Sequence, residues 1–301
     1  LKKEDGTTYN LYEDDIEDVW NSTHIKDIRK KLLNGEQIKE CNVCWNVENA
    51  NKSYGGHDAP TSTRLDSIKS YMEEDGIFSY HRQFIENNVL STLGDGWVEE
   101  SLKSLELRLG NHCNLACNMC WGYSSSKINA ESLHLLKSRD VDMPEWLFEM
   151  WYPSEYDISK INMMWHENPK FLENFKKIAP TLKRLYVTGG EPSIIEANTK
   201  IINHLIEIGN KECHISFTTN LTTWNLDLYE KLDFFDRSEV QISLDGFDKS
   251  QEYIRYGSSW EVVSKNFKKL IQLPDKVRIQ IYTVFQVYNM FETYKMMKWL
   301  D

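Results

Sequence analysis

The chain has 301 residues, of which 41% are hydrophobic and 27% charged, so it can bury a sizeable core and is not expected to be disordered. Its net charge of −11 argues against broad, unspecific binding to nucleic-acid phosphates, which requires clustered lysine and arginine. No apolar run approaches the roughly 18 residues of a membrane-spanning helix, and the N-terminus carries no signal-peptide pattern. We therefore expect neither a membrane partner nor a nucleic-acid partner.

The first part of the chain is predicted to be small and mostly helical. Apolar residues at helical spacing indicate an amphipathic helix over residues 16–32. Two cysteines, Cys41 and Cys44, follow this helix. A later pair of glycines that flanks an aspartate indicates a turn and a domain boundary, which divides the chain into residues 1–95 and 96–301.

The second part alternates strand and helix patterns, which indicates a parallel sheet in an α/β domain. Five apolar runs are predicted as strands, at residues 104–109, 184–188, 214–218, 239–244 and 277–287. Helical patterns lie between and after them, at residues 169–178, 194–208, 226–231, 259–271 and 291–300. In sheets of this kind, the chemistry lies on loops that follow the carboxyl ends of the strands.

Three cysteines directly follow the first predicted strand: Cys113, Cys117 and Cys120, with the spacing C-x3-C-x2-C. Thiolates suit iron–sulfur clusters, and three of them leave one iron of a cubane open to a substrate or cofactor. A structural zinc site is the main alternative, although zinc prefers four ligands and His112 would be strained beside Cys113. Unligated thiols are a second alternative. Disulfides are disfavoured because such close neighbours bridge poorly, which favours a reducing cytoplasm.

The three-cysteine motif, placed after the first strand of a β/α domain, resembles the signature of the radical S-adenosylmethionine (SAM) superfamily. The resemblance covers about residues 102–301 and implies a [4Fe–4S] cluster on the three cysteines, with SAM on the open iron. It also implies a partial (βα)6 barrel of the TIM type, with about five strands present in this chain. Met119 stands where the family commonly has an aromatic residue near the adenine, and it is taken as a cofactor contact.

A glycine pair and an acidic residue, Gly189, Gly190 and Glu191, follow the second predicted strand. Glycine at a strand end lets a ligand approach the backbone closely, although an ordinary tight turn would explain the same residues. By resemblance, this segment corresponds to the GGE motif of the family. The resemblance implies contacts from the backbone and from Glu191 to the methionine amino group of SAM.

Later strand ends carry further polar residues, which turn chemistry alone would also favour. The resemblance implies that Ser243 and Asp245 contact the ribose hydroxyls of SAM. It also implies that Arg255, by default a surface arginine, pairs with the SAM carboxylate as a bidentate guanidinium can. Asn220 is placed in the same pocket and Val287 against the adenine.

The cysteine pair of the first part, Cys41 and Cys44, indicates by itself a zinc half-site, a redox pair or two buried thiols. Its surroundings, DVWNS at 18–22 and ECNVC at 40–44, resemble the SPASM/twitch domain of radical SAM enzymes. The resemblance implies that both cysteines ligate an auxiliary iron–sulfur cluster in the natural protein, together with cysteines upstream of this sequence.

These features predict an enzyme that cleaves SAM reductively to a 5′-deoxyadenosyl radical, which abstracts hydrogen from a substrate. By resemblance, the substrate is a peptide or protein and the electron donor is a protein such as flavodoxin or ferredoxin. A small-molecule or nucleoside-type substrate is the alternative within the family, and a non-enzymatic iron–sulfur or zinc module is the alternative of another class. Because the chain begins at Leu1 and ends at Asp301 in an apparent helix, we expect it to be shortened at both ends, before the last barrel strand.

Overall fold

The computed structural model describes residues 3–54, 64–66, 92, 94–99, 101–138, 144 and 162–301. They belong to two compact units, Leu1–Lys103 and Ser104–Asp301. Within the described ranges, no helix is long and apolar enough to cross a membrane.

The first unit contains short helices. In chain order they are α1 (Ile16–Trp20), α2 (Thr23–Leu33) and α3 (Asn42–Tyr54), with a 3₁₀ turn at Lys39–Cys41 before α3. The single helix predicted over residues 16–32 is therefore divided in two. Ser22 causes the break because its backbone is not helical (ψ 153°) and its side chain accepts a hydrogen bond from the Ile25 amide, which begins α2.

Polar side chains at this break bind a later stretch of the same unit. Asn21 exchanges two hydrogen bonds with the backbone of Val98, at 2.8 and 3.0 Å. Arg29 donates to the Gly96 carbonyl at 3.0 Å and to the Trp20 carbonyl at 2.7 Å, while its guanidinium lies over the Trp20 ring. The backbone around the predicted domain boundary therefore packs with the first unit.

The second unit is built on a parallel sheet. In chain order its strands are β1 (Ser104–Arg108), β2 (Ala116–Cys117), β3 (Arg184–Thr188), β4 (His214–Thr219), β5 (Ser238–Ser243), β6 (Arg255–Tyr256) and β7 (Val277–Tyr282). Five of them form one parallel sheet in the order β1-β3-β4-β5-β7, and β2 pairs with β6 in an antiparallel ribbon. The predicted α/β class with five parallel strands is confirmed.

The last strand of the sheet is shorter than the predicted run over residues 277–287. After β7 the chain leaves the sheet, because the Val284 amide donates to Asp245 Oδ1 at 2.7 Å instead of to a neighbouring strand. Val287 consequently lies on a turn, with 71% of its surface exposed.

Helices connect and follow the strands. They are α4 (Ser126–Ser138), α5 (Pro169–Ile178), α6 (Glu196–Glu207), α7 (Leu226–Tyr229), α8 (Lys249–Ile254), α9 (Trp260–Leu270) and α10 (Thr293–Leu300). The structure thus has α4 and α8 where no helix is predicted from the sequence. Helix α5 begins where the Asn168 side chain accepts from the Lys170 amide and proline occupies the first helical position.

The two faces of the sheet differ in character. Alternate strand residues such as Val187, Phe217 and Val240 point into an apolar core against the helices and are at most 2% exposed. The opposite face is polar: the hydroxyls of Tyr186 and Thr218 lie 2.8 Å apart, and Thr218 donates to the side-chain oxygen of Gln241 on the next strand at 2.8 Å. Only the apolar face therefore contributes to the hydrophobic core.

Candidate active site

The loop after β1 carries the three clustered cysteines. Gly110 has a φ of +74°, which favours glycine, and turns the chain out of β1. The buried Asn111 side chain donates to the Gly122 carbonyl at 2.7 Å and so joins the two ends of the loop. The Ser125 hydroxyl donates to the Leu115 carbonyl at 2.6 Å. Buried polar groups therefore hold the loop in one shape.

The thiols of the three cysteines lie close enough to interact. A hydrogen bond between Cys117 and Cys120 raises the pKa of Cys117 and lowers the pKa of Cys120 to about 7. Burial raises the pKa of Cys113. The hydrogen bond between the two thiols therefore favours one thiolate within the pair, the ionised form in which cysteine binds metals.

A short antiparallel pairing connects this loop to the segment that follows β5. Cys117 of β2 lies opposite Arg255 of β6, and the Asn118 amide donates to the Ile254 carbonyl at 2.9 Å. The Arg255 guanidinium reaches the Cys117 sulfur, with Nη1 at 3.9 Å from Sγ. We term β2 and β6 together the clasp.

Arg255 is held from its other side by Asp245, which lies just after β5. Arg255 Nε and Asp245 Oδ2 lie 2.7 Å apart, an ion pair that lacks the alignment of a hydrogen bond, and both residues are buried. Asp245 Oδ1 accepts from the Val284 amide, and the Asn289 side chain donates to the Asp245 carbonyl at 2.8 Å. The Val284 amide offsets part of the cost of burying the ion pair, and Asn289 fixes the backbone of Asp245.

The cysteine loop packs closely against the glycine pair that follows β3. A Cβ at Gly190 would lie 2.0 Å from the His112 carbonyl oxygen, and a Cβ at Gly189 would lie 2.8 Å from the Gly110 oxygen. The amides of Gly190 and Glu191 donate to the carbonyls of Gly110 and His112, at 3.2 and 2.8 Å. The sequence predicts that a ligand lies close to the backbone of Gly190, but in the structure the cysteine loop lies there.

The Glu191 carboxylate is fully buried and joins the loops that follow β3 and β4. Its Oε1 accepts from the Ser193 amide and hydroxyl and from the Thr219 hydroxyl, and its Oε2 accepts from the Asn220 amide, at 2.6 to 3.1 Å. Burial raises the pKa of Glu191, while these hydrogen bonds oppose the shift. Because both oxygens accept hydrogen bonds from the protein itself, the carboxylate holds the loops after β3 and β4 together. We call this its anchoring role.

Glu191→Gln is expected to destabilise the protein even without SAM. All four partners are donors, so the amide nitrogen of glutamine would face the Asn220 N–H or the Ser193 N–H without an acceptor. We expect the free energy of unfolding to fall by about 3 kcal/mol, as for losing charged, buried hydrogen bonds. Urea unfolding of the SAM-free protein measures this. Glu207→Gln, at a largely exposed carboxylate, is the matched control. Unchanged stability with weaker SAM binding would contradict the anchoring role.

Asn220 connects this anchor to the cysteine loop. Its Nδ2 donates to Asn114 Oδ1 at 3.0 Å and lies 4.0 Å from Cys113 Sγ. The Asn114 side chain in turn donates to the Thr222 hydroxyl at 2.7 Å. Asn114 is not among the site residues predicted from the sequence, although its place between two of the motif cysteines was the signal that could have found it.

The remaining site residues predicted from the sequence lie in different surroundings. Met119 is half-buried within the cysteine loop, and Ser243 is half-buried at the carboxyl end of β5. Val287 is exposed on the turn after β7, and Cys41 and Cys44 belong to the first unit. The residues that the structure brings together are Cys113, Cys117, Cys120, Gly190, Glu191, Asn220, Asp245 and Arg255.

The family model of the radical SAM superfamily matches residues 107–300. The chain belongs to the radical SAM superfamily. It is therefore an enzyme, and the family implies a [4Fe–4S] cluster and SAM as its cofactors. Together with the five-stranded parallel sheet, the match confirms the predicted partial radical SAM barrel with a helical N-terminal region.

Solved structures of radical SAM enzymes resemble this one at low identity. Native anSMEcpe with bound AdoMet is 20% identical, with 67% of this chain and 49% of that chain covered and a TM-score of 0.42. SuiB of Streptococcus suis bound to S-adenosylmethionine is 15% identical, with 75% and 51% covered and a TM-score of 0.35. The chain spans about half the length of these proteins. No curated protein matched it.

The cysteine loop of this radical SAM enzyme fits the cluster that the family implies. In the described part of the chain, no three His, Cys, Asp or Glu side chains are placed so that they could bind one metal ion together. A cubane requires a different arrangement, because each cysteine ligates a different iron. Burial raises the pKa of Cys113, and the Cys120 hydrogen bond and burial raise that of Cys117; the charge of Arg255 opposes both shifts and so favours the thiolate form that binds iron.

Proposed function

We propose that Cys113, Cys117 and Cys120 ligate the [4Fe–4S] cluster and that this enzyme cleaves SAM reductively. The observation that carries the proposal is the convergence of three interacting thiols with the buried cation of Arg255. When bound, the cluster and SAM would supply the radical chemistry, in which a 5′-deoxyadenosyl radical abstracts hydrogen from a substrate. The chain's own part is to keep the loop in shape, through the clasp and the buried Asn111.

The SAM site is proposed at the carboxyl ends of β3, β4 and β5, beside the cysteine loop. Its members meet at one edge of a parallel sheet, where ligands of such folds bind. Arg255 is assigned to the SAM carboxylate and the backbone around Glu191 to the amino group. Ser243 and the backbone around Asp245 are assigned to the ribose, because the two carboxylate oxygens of Asp245 already contact Arg255 and the Val284 amide. The full set of residues is Met119, Gly189, Gly190, Glu191, Asn220, Ser243, Asp245, Arg255 and Val287.

A peptide or protein is the proposed substrate. Exposed aromatic side chains flank the cysteine loop: Trp121 at the end of the motif is 59% exposed, and Tyr256 in the clasp is 66% exposed. Tyr253 and Tyr288, with ring centroids 5.4 Å apart, add to this exposed aromatic surface. Aromatic residues are enriched where proteins bind one another, which supports a peptide over a small molecule or nucleoside.

The proposal is tested by anaerobic reconstitution with iron and sulfide, followed by reduction in the presence of SAM. Flavodoxin or ferredoxin is the proposed natural electron donor, and dithionite replaces it in the assay. We expect the protein to turn brown and to form 5′-deoxyadenosine and methionine from SAM. An iron-loaded protein that neither binds nor cleaves SAM would overturn the proposal. If nucleosides or small molecules but not peptides accelerate the cleavage, the proposed substrate class is wrong.

Residues 1–95 are proposed to be a twitch-like region, with residues 96–301 as the radical SAM core. Cys41 ends the 3₁₀ turn and Cys44 lies three residues later, in the first turn of α3. These thiols are proposed to be ligands of an auxiliary iron–sulfur cluster in the natural protein.

Replacing both Cys41 and Cys44 by serine is expected to lower the iron and sulfide content of the natural protein, because an auxiliary cluster would lose two ligands. The cleavage of SAM by the barrel cluster should persist. Iron and sulfide analysis, with Cys213→Ser as the control, measures the difference. Equal iron in the double variant and in the unchanged protein would exclude the auxiliary site.

A further inference from the structure

We infer that Arg255 has a second task besides SAM: it binds the cluster ligand Cys117 and makes the cluster easier to reduce. The inference rests on the proposed function, because it requires the cluster on the three-cysteine loop. It assigns to one buried guanidinium an electrostatic influence on the cofactor that persists when SAM is absent.

The clasp fixes where this cation lies. Cys117 and Arg255 are register partners across β2 and β6, so backbone pairing sets the distance between them. Two hydrogen bonds from Asn118, to the carbonyls of Ile254 and Tyr253, extend the pairing by one residue. Because Arg255 is only 8% exposed, its side chain has little room to swing into solvent.

The guanidinium divides its donors between two partners. Nη1 lies 3.9 Å from Cys117 Sγ, and Nε faces Asp245 Oδ2 at 2.7 Å. Among the described residues, Nη2 has no hydrogen-bond acceptor. A planar guanidinium has five N–H groups, so contact with Cys117 leaves donors for the SAM carboxylate. The two tasks of Arg255 are therefore compatible.

Reduction adds one negative charge to the cluster. A cation beside a ligand sulfur stabilises that added charge, and it does so more strongly in a buried site than in water. Hydrogen bonds to cluster sulfurs and nearby charge are among the factors that set the reduction potentials of such clusters. Asp245 carries the opposite charge, but it pairs with Nε of Arg255 while Nη1 faces Cys117, so we expect it to cancel the effect only in part.

The test is an EPR-monitored redox titration of the reconstituted protein without SAM. For Arg255→Gln, we expect the ratio of reduced to oxidised cluster at a fixed potential to fall about tenfold, which is a shift of about 59 mV for a one-electron couple. Asp245→Asn should shift the midpoint in the opposite direction, since it leaves Arg255 unneutralised. Arg255→Lys, which keeps the charge, should lie between Arg255→Gln and the unchanged protein.

Arg278→Gln is the matched control, because Arg278 is exposed near the amino end of β7, at the opposite end of the sheet from the cysteine loop. Its midpoint potential should equal that of the unchanged protein. If Arg255→Gln does not hold a cluster, Asp245→Asn and Arg255→Lys decide the question. Equal midpoints in the cluster-loaded proteins would overturn the role of Arg255. A protein that assembles no cluster at all would instead overturn the proposed function.

Discussion

Replacing any one of Cys113, Cys117 and Cys120 by alanine is expected to abolish the formation of 5′-deoxyadenosine from SAM. Each thiolate would ligate a different iron, so a missing sulfur leaves the cubane incomplete. At Cys117 the loss is compounded, because the buried guanidinium of Arg255 would lose its sulfur partner. Iron and sulfide analysis, EPR of the reduced protein and chromatography of the products measure the outcome.

Cys213→Ala is the matched control for these variants. Cys213 is fully buried in the apolar core, and burial raises its pKa to about 12, so it behaves as a small apolar residue rather than a ligand. We expect the control to keep its cluster and its cleavage of SAM, with a loss of about 1 kcal/mol of stability. A loop variant that still cleaves SAM as fast as the control would remove that cysteine from the ligand set.

Gly190→Ala is expected to produce a folded protein that assembles little cluster. The added methyl would lie 2.0 Å from the His112 oxygen and 2.7 Å from the backbone of Asn111, and neither neighbour is a flexible side chain. The cysteine loop must move away to make room, at a cost of about 1–3 kcal/mol for overpacking. The displacement falls next to Cys113, so cluster content should fall more steeply than stability does.

The measurement pairs the iron content after reconstitution with thermal unfolding of the apo-protein. Gly94→Ala is the control, because a Cβ at Gly94 meets nothing within 4 Å. It should leave both quantities unchanged. Normal cluster content in Gly190→Ala would show that the loop tolerates the shift and that Gly190 is required, if at all, for the approach of SAM.

Much of the sheet could be predicted from the sequence because each strand carries its own local signal. Apolar runs such as 184–188 and 214–218 show where buried strands lie, and the cysteine spacing shows where the metal chemistry lies. The clasp has no such signal. β2 and β6 are two residues long, too short for any periodicity, and their pairing depends on residues far apart in the chain.

Glu191 is a second feature whose role could not be predicted from the sequence. The motif predicts a contact with SAM, and a glutamate is by default a surface residue. The structure buries the carboxylate under the Thr219 and Asn220 loop, which supplies two of its donors. That loop belongs to the next strand, so the role of the side chain could be recognised only once the two strand ends were side by side.

The clasp also has a consequence for the order in which the molecule folds. The contact between Cys117 and Arg255 closes a loop of 138 residues, among the more distant pairings in the second unit. Closing so long a loop costs entropy that is recovered only after the intervening strands β3, β4 and β5 have paired. We therefore expect Arg255 to reach Cys117 late in folding. A cluster on the three cysteines would accordingly gain the cation of Arg255 only after the sheet has assembled.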